Sequence, residues 1–150
     1  ITTFCLLILA GNITVGIVAG PEGNLVWHIS MIGVPLVILI PCMFFVIRGF
    51  AIDPDGISVF RLGWVTRIPL AVLEDVYPDA EAMSRSIRTW GNGGLFCYAG
   101  FFRNKKLGSY RAYVTSRKHA VVLKFSDRTV VMSPGDPDAF VAQVRSLKGL

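Results

Sequence analysis

No Lys or Arg occurs before Arg48, and the only acidic residue ahead of that point is Glu22. Two stretches, residues 2–19 and 26–47, hold no Asp, Glu, Lys or Arg at all. Charge-free runs of this length exclude an evenly mixed soluble globule, so the chain divides in two before it can be interpreted. Cysteine is scarce as well. Cys5, Cys42 and Cys97 form no pair at disulfide or zinc spacing, so neither a disulfide framework nor a metal site is expected, and no cofactor is implied. Only two histidines occur, and the chain has no HExxH motif, no nucleophile elbow and no GKS or GKT ending on its glycine-rich segment. Those absences leave no recognisable catalytic constellation.

What is present begins with the apolar runs. Residues 26–47 make 22 positions, enough at roughly 1.5 Å per residue to cross a hydrocarbon core about 30 Å thick. Residues 2–19 meet the lower limit for a span. The linking Gly20, Pro21, Glu22, Gly23 and Asn24 read as a turn, so the two spans form an antiparallel hairpin. Pro35 and Pro41 should kink the second span, and Gly16 and Gly20 have the small-xxx-small spacing that lets helices approach closely. His28 beside Trp27 reads as an interfacial residue. Arg48, Arg61 and Arg67 follow the second span while the connecting loop has no basic residue. The positive-inside rule therefore places the remainder in the cytoplasm of a multi-pass protein of the inner or plasma membrane. A rival reading takes the first run as a signal sequence. No basic n-region precedes it, although the chain starts at Ile1 rather than Met. The expected division is residues 1–48 as the membrane hairpin and residues 49–150 as the cytoplasmic domain.

That second part carries all fifteen basic residues against nine acidic ones, a net charge of +6 beside a bilayer. Anionic head groups are its natural counterpart, at about 1 kcal/mol per Lys or Arg near the surface. Its pattern is one of short strands. Asp53, Pro54, Asp55 and Gly56 make a turn, after which Trp64, Thr66, Ile68 and Leu70 alternate with Val65, Arg67 and Pro69. Further strands are expected at residues 96–102, 109–115, 120–125 and 129–133. The loops at 103–108, 116–119 and 126–128 are short enough for hairpins, which predicts antiparallel pairing of neighbours in a meander. Asp136 is placed to cap a closing helix, with Pro137 at its first position and Phe140, Val144 and Leu147 at helical spacing. About seven antiparallel strands and one helix suggest an open barrel with the helix plugging one end.

The stretch FAIDPDGISVFRLGWVTRIPLAVLEDV, with RTWGNGGLFCYAGFFRNKKLGSYRAYVTSRKHAVVLKF and SPGDPDAFV after it, resembles the bacterial pleckstrin-homology-like domains over roughly residues 50–147. The central and last of these stretches are similar to one subgroup whose members often follow transmembrane helices. The resemblance implies a PH-like barrel with a C-terminal helix, in a family mostly of unknown function. Phosphoinositide-binding pleckstrin domains hold phosphates with basic residues in the loop joining their first two strands. Here that turn reads DPDG, and its two acids oppose phosphate. No inositol-phosphate site is carried over.

Arg103, Lys105, Lys106 and Arg111 around one hairpin, with Arg117 and Lys118 in the next turn, are the candidate contacts for lipid or a partner, weighed against ordinary solvated loops. The GNGG segment, Gly91 to Gly94, reads first as a structural loop and second as an anion cradle. Trp90, Phe96, Tyr98, Phe101, Phe102, Tyr110 and Tyr113 suit core filling, and no RNP-like signature supports nucleic acid. The leading expectation is a membrane-anchored, non-catalytic module that binds a protein partner or anionic lipid. The alternatives are a small membrane hydrolase using GNGG and His119 with Ser116 or Asp127, and a structural subunit that homo-oligomerises through its hairpin.

Overall fold

The computed structural model describes residues 2–149. Helix α1 (Thr2–Val18) runs antiparallel to an apolar rod, Leu25–Phe44. The rod is made of α2 (Leu25–His28), a π-helical turn (Ile29–Gly33) and α3 (Val34–Phe44). Asn24 caps it, its side-chain oxygen accepting from the Trp27 amide at 3.1 Å. The π turn lies directly before Pro35, which cannot donate to a carbonyl four residues back and whose ring would strike it. The widened turn is the structure's local response to that conflict, and Pro41 lies inside α3. Gly16 is buried in the hairpin seam, where an added Cβ would stand 2.8 Å from Met31 Cβ. The close approach read from Gly16 therefore operates inside the hairpin. Among the described residues only the rod meets the length and hydropathy expected of a span; α1, at 17 residues, is shorter. The rod also ends three residues before the apolar run does, because Ile47 leaves it to enter the core of the following domain.

Among the described residues nine strands follow in two sheets. The first is the antiparallel meander β1 (Ile47–Asp53), β2 (Gly56–Arg61) and β3 (Val65–Pro69). The second, in the order β4-β8-β9-β7-β6-β5, contains β4 (Leu73–Pro78), β5 (Ile87–Gly93), β6 (Tyr98–Asn104), β7 (Gly108–Val114), β8 (Val121–Phe125) and β9 (Thr129–Met132). The two sheets do not close into a barrel, so the expected architecture of about seven strands in an open barrel becomes nine strands in two layers.

The β6/β7 and β8/β9 hairpins are antiparallel as the loop lengths predicted. The middle connection is different. β7 pairs in parallel with β9, and the chain crosses through the 3-10 turn Arg117–His119 to lay β8 on the far side of β9. Ser133 secures that crossing, its buried Oγ accepting from the Thr115 amide at 2.8 Å and the Ser116 amide at 3.3 Å.

Both faces of the large sheet are buried, which the alternation along β7 makes visible. Tyr113 points into the main core with Ile57, Val59, Leu123 and Met132, while Tyr110, Ala112 and Val114 meet Ala82, Met83 and Phe102 on the other side. Helix α4 (Pro137–Lys148) closes the main core with Phe140, Val141 and Val144; Leu147 stays largely exposed. Its N-terminus is held by Asp136, whose Oδ1 accepts from the Asp138 and Ala139 amides, and Gly149 ends it in the left-handed conformation. Arg145 ties the helix to β4 by donating to the Val76 carbonyl at 2.9 Å.

Candidate interaction surface

The end of the apolar rod is stitched to the domain. The Phe45 ring packs edge-on against Trp64 at 5.7 Å, and the buried Cys97 thiol donates to the Phe45 carbonyl at 3.1 Å. Burial pushes the Cys97 thiol up to about 11, so it stays protonated and structural. These contacts define a rod-proximal end of the molecule, and every candidate residue can be placed against it.

The six basic residues singled out in the sequence do not form one patch. Along the β6/β7 ladder, Tyr98 pairs with Val114 at the rod-proximal end and Asn104 with Gly108 at the other. Six steps of about 3.3 Å separate those ends by roughly 20 Å. Arg117, whose guanidinium lies 4.5 Å from the Tyr98 ring, and Lys118 are therefore near the rod. Arg103, Lys105 and Lys106 surround the remote turn, where Lys106 is committed to Asp79 at 2.6 Å and its ammonium is raised chiefly by that hydrogen bond. Arg111 sits between, against the rings of Phe101 and Tyr113. The DPDG turn is remote too, since β1 starts at the rod and ends at Asp53.

The GNGG segment is built into strand pairing. Gly91 faces Gly100 across the β5/β6 ladder, and Asn92 closes the turn by donating to the Leu95 carbonyl at 2.6 Å and accepting from the Leu95 amide at 3.1 Å. His119 and Ser116 line a cleft of about 570 Å³ with Arg48, Ser133 and Asp136. Asp127 lies beyond the far end of β8, in the β8/β9 turn, so the structure does not bring it to His119. The Ser133 hydroxyl in that cleft is already engaged with backbone amides.

Sequence reasoning missed the residues that crowd the end of the rod. Arg61 is caged by three rings, its Cζ lying 5.0 Å from the centroid of Tyr113, 5.5 Å from Trp64 and 5.9 Å from Phe45. Burial, reinforced by the neighbouring Arg111 charge, lowers its guanidinium below the ordinary value, and burial likewise raises the Tyr113 phenol. On the other flank, Trp90 of edge strand β5 is 77% exposed and borders a crevice shared with Pro41, Cys42 and Phe45 of the rod. The available signal was RLGW, a turn joining Arg and Trp soon after the apolar run.

Two sheets packed over the main core, closed by a C-terminal helix and led by an apolar rod, are an arrangement that fits a PH-like domain. The chain belongs to the bacterial PH domain family: the family described as Bacterial PH domain matches residues 48–148. No curated protein and no solved structure matches it.

Proposed function

We propose that the chain is a membrane-anchored, non-catalytic PH-like module that works at the cytoplasmic face of the inner or plasma membrane by binding other molecules. The observation that carries this reading is the rod itself: only 6% of its apolar window is buried inside the protein, yet its last residues are bonded into the family domain. An apolar surface left that bare in water would be strongly unfavourable at about 25 cal/mol per Å², and lipid removes the penalty. In this reading residues 1–48 anchor and residues 49–150 form an opened-out PH-like barrel.

The two ends then have separate roles. Arg48, Arg117 and Lys118 lie at the rod-proximal end, where attraction to anionic lipid operates. Arg103 and Lys105 project from the remote end, next to the unpaired edge of β5, which suits a protein partner adding a strand. Gly16 is already filled by Met31, so a homo-oligomer would use another face of the hairpin.

Sidedness is the test. A Lys105→Cys variant of the full chain, expressed in intact cells, should react with a membrane-impermeant maleimide only after the inner membrane is opened. Labelling in unopened cells would place the domain outside and end the proposal. Recovery of the full chain in mild detergent with an associated protein, lost when the β5 edge is blocked by Thr89→Pro, would support the partner role. A partner retained by that variant would count against it.

A further inference from the structure

Arg61 and Arg111 share the Tyr113 ring, with their Cζ atoms 5.0 Å and 5.3 Å from its centroid. Guanidinium groups so placed repel one another, and among the described residues neither has a carboxylate within ion-pairing distance. Arg61 Nε is buried with no hydrogen-bond partner among those residues. With Nε closed off, the outer nitrogens of Arg61 are those left for a ligand, and the strongest acceptor for a paired guanidinium is an oxyanion. Arg67 and Arg128 line the small crevice that continues from Arg111 between β3 and β9, adding positive charge there, with Arg128 partly offset by Asp127 at 3.8 Å.

The location identifies the oxyanion. The other two rings of the Arg61 cage belong to Phe45, the residue directly after the rod, and to Trp64. Gly63, in the same turn, lies against Phe44: an added Cβ there would be 3.6 Å from the ring. Head groups occupy the first 5–8 Å or so beyond the hydrocarbon core, which is the level of this turn if the rod spans. Leu62 and Trp64 are partly exposed beside it, and tryptophan is the side chain that favours that layer.

We propose that Arg61 and Arg111 form a site for the phosphate of an anionic phospholipid drawn from the bilayer that holds the rod, with Leu62 and Trp64 seated among the neighbouring head groups. The site rests on the anchoring reading above. Of the six residues first singled out it retains only Arg111. The phosphate oxygens accept from the outer guanidinium nitrogens of Arg61 and Arg111 and relieve the repulsion between them. No covalent step is involved.

The test uses the full chain in lipid nanodiscs, with Trp27→Phe and Trp90→Phe so that Trp64 is the remaining tryptophan. Quenching of Trp64 by brominated phosphatidylglycerol is compared with that by brominated phosphatidylcholine at equal mole fraction. The anionic lipid should be enriched at Trp64 by about fivefold for each arginine engaged. Arg111→Gln, an exposed substitution that leaves the core intact, should remove about one such factor, while Lys124→Gln should change nothing. Equal quenching by the two lipids, or a preference untouched by Arg111→Gln, would overturn the site. Abolition of the preference by millimolar inorganic phosphate would assign the site to a free anion and overturn the lipid assignment. A chain that fails to remain in the discs refutes the anchoring itself, whereas one that remains without lipid preference refutes only the head-group site.

Discussion

Replacing Gly91 with alanine should release β5 while leaving the rest of the domain folded. Gly91 has φ +102°, a conformation that L side chains rarely adopt, and its ladder partner is another glycine, Gly100. The two backbones approach so closely that an added Cβ would overlap the Ala99 carbonyl oxygen and stand 2.8 Å from Gly100 Cα. Backbone strain of this kind costs about 1–3 kcal/mol, and neither neighbouring group is a flexible side-chain tip that could swing aside. The strand has little with which to resist: it is an edge strand, and none of its seven residues is fully buried. The ladder should therefore open locally before the core yields. A loss of about 2 kcal/mol corresponds to roughly thirtyfold faster exchange of the ladder amides. Hydrogen exchange read by mass spectrometry would show peptides from β5 losing protection by that factor, with peptides from β7, β8 and β9 unchanged. Unchanged protection of β5 would refute the close-approach argument, and equal loss across the whole sheet would refute its independence.

Other expected outcomes follow from single contacts. Ser133→Ala should lower stability by about 1–3 kcal/mol in urea unfolding, since two amides at the β7 crossing lose a buried acceptor. Asp136→Ala should cost about 1 kcal/mol by uncapping α4, and Asp136→Asn should recover most of it. Because burial raises the Cys97 thiol from 9.0 to about 11, its contribution to stability is complete below pH 9 and is lost as pH rises toward 11. Midpoints of unfolding for the wild type should fall over that window more steeply than those of Cys97→Ala. The thiol should also resist alkylation near neutral pH until the domain unfolds.

Elements with clean periodicity were legible in the chain: the apolar rod, the β6/β7 and β8/β9 hairpins, and α4 with its Asp136 cap. The strands that were missed have physical reasons for silence. β4 carries a bulge between Leu73 and Asp75, which puts Leu73 and Val76 on one face and spoils the two-residue alternation. β5 has a bulge between Arg88 and Trp90, lies at an edge and buries little, so its sequence shows no alternation to read. The parallel pairing of β7 with β9 is a long-range choice, favoured because β9 in the centre buries Val130, Val131 and Met132 on both faces. Local loop length carries no trace of it. The candidate surface was hidden for a related reason. Lys105 and Arg117 are near in sequence and far apart in space, whereas Phe45, Arg61 and Tyr113 are brought together only by the packing of β2 against β7.

Extraction at alkaline pH tests the anchoring most directly. After carbonate washing, the wild-type chain should remain with the membrane pellet. A variant with Val37→Arg and Ile40→Arg, two exposed positions of the rod, should be largely released, because an arginine costs about 2.5–3.5 kcal/mol of insertion at the centre of a span and less toward its end. Wild-type protein appearing in the supernatant, or a double variant that stays as firmly bound as the wild type, would contradict a domain held at the bilayer by this rod.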